Sequence, residues 1–151
     1  MFETILVATD GSHSAEKAVD FAVEFATRHG SKLVICTVTR EKLATIDRDP
    51  GEPNPPDVDP RSSLSRGQAD QAAEVLRRGE QKAKAAGLEN YLLREIYGTN
   101  IGATIVQEAE AVGADHVVVG SVGQTGLARL LMGSVAGSVV HYAHCPVTVV
   151  R

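Results

Sequence analysis

Residues 2–39 read FETILVATDGSHSAEKAVDFAVEFATRHGSKLVICTVT, and the order of periods within them decides the fold class. Residues 2–8 (FETILVA) are a short run with β-branched side chains, closed by Thr9-Asp10-Gly11-Ser12, residue types that build turns and helix caps. From Ser12 the apolar positions take a helical period, falling at 15, 18, 19, 22, 25 and 26, until Gly30 stops it. Residues 32–39 (KLVICTVT) are apolar on both faces through their middle, the pattern of a strand inside a parallel sheet. The stretch is a strand–helix–strand unit.

The same alternation continues to the end of the chain. A helical period resumes over residues 67–86 through Ala69, Ala72, Ala73, Leu76, Ala83 and Ala86, with Gly87 as its stop. Residues 91–97 predict a third strand, more polar and so nearer a sheet edge. Thr99 or Asn100 can cap a helix over 101–112 that Gly113 ends. Residues 116–119 are a buried β-branched strand, residues 134–143 a helix, and Val147–Val150 a last strand opened by Pro146. Between the second strand and the second helix, residues 40–66 hold five of the six prolines and no sustained period, which predicts a long loop. Five strands alternating with four helices predict one α/β domain, a parallel sheet with right-handed crossovers and helices on both faces.

Bulk composition narrows the function without naming it. A chain of 151 residues is long enough to bury one core. Its net charge of −4 does not draw it to phosphate backbones or anionic membranes, though backbone N–H groups can still hold a small anion. Cys36 and Cys145 sit in apolar runs without metal or redox spacing, and read as small buried hydrophobes. The start MFETILVATD has no basic leader, and no apolar run approaches the ~20 residues of a membrane span, so a cytoplasmic protein is expected.

The common phosphate and catalytic motifs are missing. There is no GxxxxGK[ST], no GxGxxG after the first strand, no GxSxG and no HExxH. His141 and His144 stand three apart with no partner at ligand spacing. What remains is GSVGQTGLARLLMGS, residues 120–134, with glycines at 120, 123 and 133 followed by Ser134. Gly120 ends a buried strand at the carboxyl edge of the sheet, where open α/β sheets hold ligands. Gly120 and Gly123 offer close backbone approach and positive φ, and Gly133-Ser134 starts a helix whose free N–H groups attract an anion. Ser134 would also serve as an N-cap with no ligand at all. On these residues alone, both a phosphate cradle and a ligand-free glycine turn stay open.

The spacing G-x2-G-x9-G-[ST] resembles the signature of the nucleotide-binding branch of the universal stress protein family. ILVATDGSHSAEKAVDFA resembles that family's opening, and GADHVVVGSVGQTGLARLLMGSVAGSVV with HCPVTVVR resembles its carboxyl-terminal block. The resemblance covers both ends and the alternation between them, leaving residues 40–66 aside. It implies a Rossmann-like sheet in strand order 3-2-1-4-5, a homodimer built partly by Val147–Val150, and ATP held across the carboxyl edge. By position it places Ala8, Thr9 and Asp10 beside adenine and ribose, with Asp10 able to help hold Mg with the phosphates. A plainer reading has Asp10 cap the first helix. Val38 would face the adenine, Gly120, Ser121, Val122, Gly123 and Gln124 the ribose and phosphates, and Gly133, Ser134, Val135 and Ala136 the phosphates.

Val122 and Ala136 depart from residues that carry polar groups in other members, which makes AMP or ADP an alternative to ATP; Gln124 and Arg129 are the available compensation. The loop has no lysine to clamp a γ-phosphate and no secure group to orient an attacking one. The expectation is a regulatory nucleotide-binding dimer and not an enzyme. A slow ATPase of the same fold and a dimer that binds no nucleotide are the alternatives.

Overall fold

The computed structural model describes residues 2–40, 63–122 and 132–151. In chain order the elements are β1 (Thr4–Ala8), α1 (His13–His29), β2 (Lys32–Arg40), α2 (Ser63–Ala85), β3 (Tyr91–Gly98), α3 (Ile101–Ala111), β4 (His116–Gly120), α4 (Ser134–Tyr142) and β5 (Val147–Val150). The five strands form one sheet in the order β3-β2-β1-β4-β5, parallel throughout. The strand order is the one the resemblance implied, and β3 lies at an edge as its polar residues predicted.

Two-residue periodicity divides each strand between two cores. Ile5, Val7, Leu33, Ile35 and Val118 face α1 and α2, where they meet Ala18, Val19, Ala22, Ala26 and Ala83. Leu6, Ala8, Val34, Cys36, Val117 and Val119 face α3 and α4, where they meet Ile105, Val106, Ala109, Ala136 and Val139. Ile5, Leu6, Leu33 and Ile35 are completely buried, and each such side chain contributes about 1.5–3 kcal/mol. Small residues on the inner face of α1 let the helix lie close to the strands. Gly30 then ends α1 in the left-handed region (φ 68°), its N–H donating to the Ala26 carbonyl.

Several boundaries differ from the sequence reading. Helix α2 begins at Ser63, ahead of the expected start at 67. After Pro60 no residue of that stretch bars a helix, but its polar first turn carries no apolar period to reveal it. Strand β2 runs to Arg40, which pairs with Gly98. The N-cap of α4 is Gly133 and not Ser134, which is the first helical residue. Likewise Ser12, not Asp10, occupies the N-cap of α1, and the Asp10 Oδ1 accepts from the Ser12 N–H at 2.9 Å. Residues 41–62 of the proline segment, and Gly123, Gln124 and Arg129 of the glycine loop, lie outside the described residues. Among the described residues no helix is long and apolar enough to cross a membrane.

Candidate functional site at the carboxyl edge

Parallel pairing brings the ends of three strands level. Ala8 pairs with Cys36 on one side and Val119 on the other, so β1, β2 and β4 all deliver their next residues to the same edge. The crossovers leave that edge toward opposite faces, α1 one way and α4 the other, and a crevice opens between them. It holds a cavity of about 530 Å³, within the range of small-ligand sites.

The floor of the cavity comes from the ends of β1 and β2. Ala8 and Thr9 are buried, and the Thr9 N–H donates to the Cys36 carbonyl at 2.9 Å, which continues the sheet one step past β1. The Thr9 hydroxyl then accepts the Gly11 N–H at 3.2 Å. Gly11 sits at φ 78°, and a Cβ there would come within 2.6 Å of the Arg78 guanidinium. The positive φ favours glycine at this turn, since side chains rarely adopt it. Asp10 is exposed at the rim. Val38, half-buried on the α3 side of the sheet, supplies an apolar wall.

The far wall is the passage from β4 to α4. The Ser121 N–H donates to the Val150 carbonyl at 2.7 Å, and the Ser121 carbonyl accepts the Gly133 N–H at 2.6 Å. The chain therefore leaves at Val122 and returns to the same anchor eleven positions later. Val122 is tied from the other side, its carbonyl accepting the Ser14 hydroxyl of α1. Helix α4 opens at the cavity with no side-chain cap, and its first intrahelical bond, Gly137 N–H to Gly133 carbonyl at 2.9 Å, leaves the N–H groups of Ser134, Val135 and Ala136 without helical partners. Ser134 is exposed, whereas the Ala136 side chain is buried in the core, so Ala136 can serve a ligand through its backbone. The helix start carries roughly half a positive charge.

Gly120 has a packing role besides its place in the cavity wall. It is absent from the glycines with positive φ. A Cβ on it would fall 2.6 Å from the Ser14 Oγ and 2.7 Å from the Ala15 N, inside the first turn of α1. Glycine is required there so that α1 can lie on β4, and the positive φ expected of Gly120 is absent. The described site residues, Ala8, Thr9, Asp10, Val38, Gly120, Ser121, Val122 and Gly133 to Ala136, line one cavity.

Sequence reading missed one wall altogether. Gln68, Gln71, Ala72 and Val75 of α2 line the cavity at the spacing of a single helical face. That spacing was visible, but the alanines of the neighbouring face carried the stronger apolar signal. Ser12 and Ile101 also line it. Among the described lining residues Asp10 is the sole carboxylate and Arg40 the sole cation, and no cluster of three or more His, Cys, Asp or Glu is placed to hold a metal. One carboxylate suits Mg only in company with phosphate oxygens, the usual way that ion is held beside a nucleotide.

Comparison with known proteins follows the whole chain. A sequence model described as the universal stress protein family matches residues 1–151. Universal stress protein YxiE of Bacillus subtilis is 32% identical over 155 residues, covering 100% of both chains. Universal stress protein UspA from Lactobacillus plantarum superposes with a TM-score of 0.81 at 28% identity, over 99% of this chain and 98% of the other. A universal stress protein crystallised in complex with cAMP has a TM-score of 0.71 at 31% identity, over 99% of this chain and 97% of the other.

Proposed function

The chain belongs to the universal stress protein family, and on that premise we propose that its carboxyl-edge cavity binds an adenine nucleotide and that the protein acts as a regulatory homodimer. One observation carries the reading: residues from β1, β2 and the uncapped start of α4 line a single cavity of about 530 Å³. Backbone N–H groups at that helix start suit a phosphate, and the apolar wall at Val38 suits a base. The cAMP complex of a 31% identical relative supports the ligand class. ATP with Mg is the proposed ligand, with Asp10 as the protein's carboxylate toward the metal. ADP and AMP are the competing forms, because the described walls offer a single cation for a triphosphate.

Binding without turnover is the proposed activity. Ground-state phosphate is well served by a helix start, but selective stabilisation of a transferring phosphoryl group asks for cationic clamps and an oriented nucleophile. The signal would then be a nucleotide-dependent shift between two states of the dimer, which requires unequal affinity for them. The edge strand β5 is the proposed dimer contact. It is short, half-buried and apolar, and among the described residues it pairs on one side only.

Nucleotide content of the purified protein tests the reading directly. ATP or ADP near one equivalent per chain on denaturation, or a rise in melting temperature with millimolar ATP and Mg, is expected. No released nucleotide and no thermal shift with ATP, ADP or AMP would overturn it. A monomer in sedimentation at micromolar concentration would overturn the dimer.

A further inference from the structure

Helices α1 and α3 both start at the carboxyl edge, and they treat their caps differently. Asn100 caps α3, its side-chain Oδ1 accepting the Ala103 N–H at 3.1 Å. Ser12 has the backbone of a cap, with φ −66° and ψ 163° and its carbonyl accepting the Glu16 N–H at 2.9 Å. Its side chain makes no cap bond. The Ser12 Oγ is closed off from solvent and has no hydrogen-bond partner, an unusual condition for a hydroxyl.

We infer that the Ser12 hydroxyl is a ligand contact which donates a hydrogen bond to a phosphate oxygen of the nucleotide. The inference rests on the reading of the cavity as a nucleotide site. Ser12 lines that cavity together with Asp10 and Ser134. Its backbone is held in place, because the Asp10 Oδ1 accepts the Ser12 N–H and the Thr9 Oγ1 accepts the neighbouring Gly11 N–H. The side chain alone is free to change partner, and one χ1 step moves a serine hydroxyl between staggered positions in nanoseconds or less. A neutral hydroxyl seeks an acceptor, and a phosphate oxygen is the strongest one that a nucleotide offers. Two residues further on, the Ser14 hydroxyl donates to the Val122 carbonyl, which ties the start of α1 to the passage from β4 toward α4. The position favours the phosphates over the base.

Three variants and two probes test this by calorimetry and thermal melting. Ser12→Ala is expected to weaken ADP binding about tenfold, the effect of losing one hydrogen bond to a charged group. Adenosine affinity stays at the parent value, Ser12→Thr keeps ADP affinity, and the empty Ser12→Ala protein melts no lower than the parent. Asn100→Ala, which removes a working cap, melts lower and calibrates what losing a cap looks like. Unchanged ADP affinity in Ser12→Ala would overturn the inference, as would a loss of melting temperature matching that of Asn100→Ala, which would make Ser12 a cap. An equal loss toward adenosine and ADP would place the hydroxyl at the ribose and overturn the phosphate assignment. Should the parent bind neither probe nor ATP, the nucleotide reading itself fails and this inference with it.

Discussion

Gly120→Ala separates two reasons for a glycine at the end of β4, and the structure sets the size of the effect. The new Cβ would lie 2.6 Å from the Ser14 Oγ, 2.7 Å from the Ala15 N and 2.7 Å from the Ser14 carbonyl carbon. The hydroxyl could rotate away, but the other two are backbone of the first turn of α1 and move only with the helix. Overpacking of this kind costs about 3 kcal/mol, the upper end of its usual range. Against it, alanine is compatible with the Gly120 backbone and stiffens the unfolded chain, a gain of about 0.4–1 kcal/mol. The clash wins, leaving a net loss of about 2 kcal/mol. For a chain of this size that is a fall of about 4–8 °C in melting temperature. Urea unfolding of the nucleotide-free protein is the assay, with the midpoint lowered and the slope unchanged. A variant as stable as the parent that loses only nucleotide binding would refute the reasoning. Gly120 would then clear space for ligand and not for α1.

Two further outcomes follow from buried groups. His116 is 6% exposed, its Nε2 sharing a hydrogen bond with the Thr148 hydroxyl at 2.8 Å and its ring packed against Phe2 and Phe25. Burial holds its pKa below the ordinary 6.5, with the Asp115 charge opposing weakly. A depressed histidine stays neutral in the fold while the unfolded chain takes up a proton. Its stabilisation is therefore complete above about pH 6.5 and declines on acidification below it, by up to about 1.4 kcal/mol per pH unit. Urea midpoints at pH 7.5 and 5.5 should diverge less in His116→Gln than in the parent; identical divergence would show that His116 contributes no such term. The Cys36 thiol, fully buried, is pushed up to about 12, chiefly by burial and then by the Glu108 charge, with Arg94 opposing. At pH 8 it should resist a disulfide reagent in the native protein and react only in urea, and rapid native labelling of Cys36 would contradict its burial.

Much of the architecture was legible because it is written in local periods. The alternation of two-residue and 3.6-residue spacing located all nine elements, and β5 was placed at its observed bounds. The start of α2 was not, because a polar first turn looks like loop when only apolar spacing is read. The cavity was partly legible: the Gly133-Ser134 helix start was found from the strand–loop–helix pattern, and Asp10 and Val38 from the family resemblance. The α2 wall was missed, since its contact with the cavity depends on how that helix crosses the sheet. Gly120 was placed at the cavity, but its packing against the first turn of α1 was not foreseen.

The sequence by itself determined the strand and helix order, the parallel sheet and the edge at which a ligand would sit. These follow from pleat, helical pitch and crossover handedness, all properties of the chain over a few residues. Tertiary structure alone decided what individual side chains do there. It assigned the missing Cβ of Gly120 to the packing of α1, and it put the Ser14 hydroxyl against the Val122 carbonyl across 108 residues of chain. It also left the Ser12 hydroxyl without the cap bond that Asn100 makes. Each depends on contacts between segments far apart in the chain, where spacing carries no information about distance.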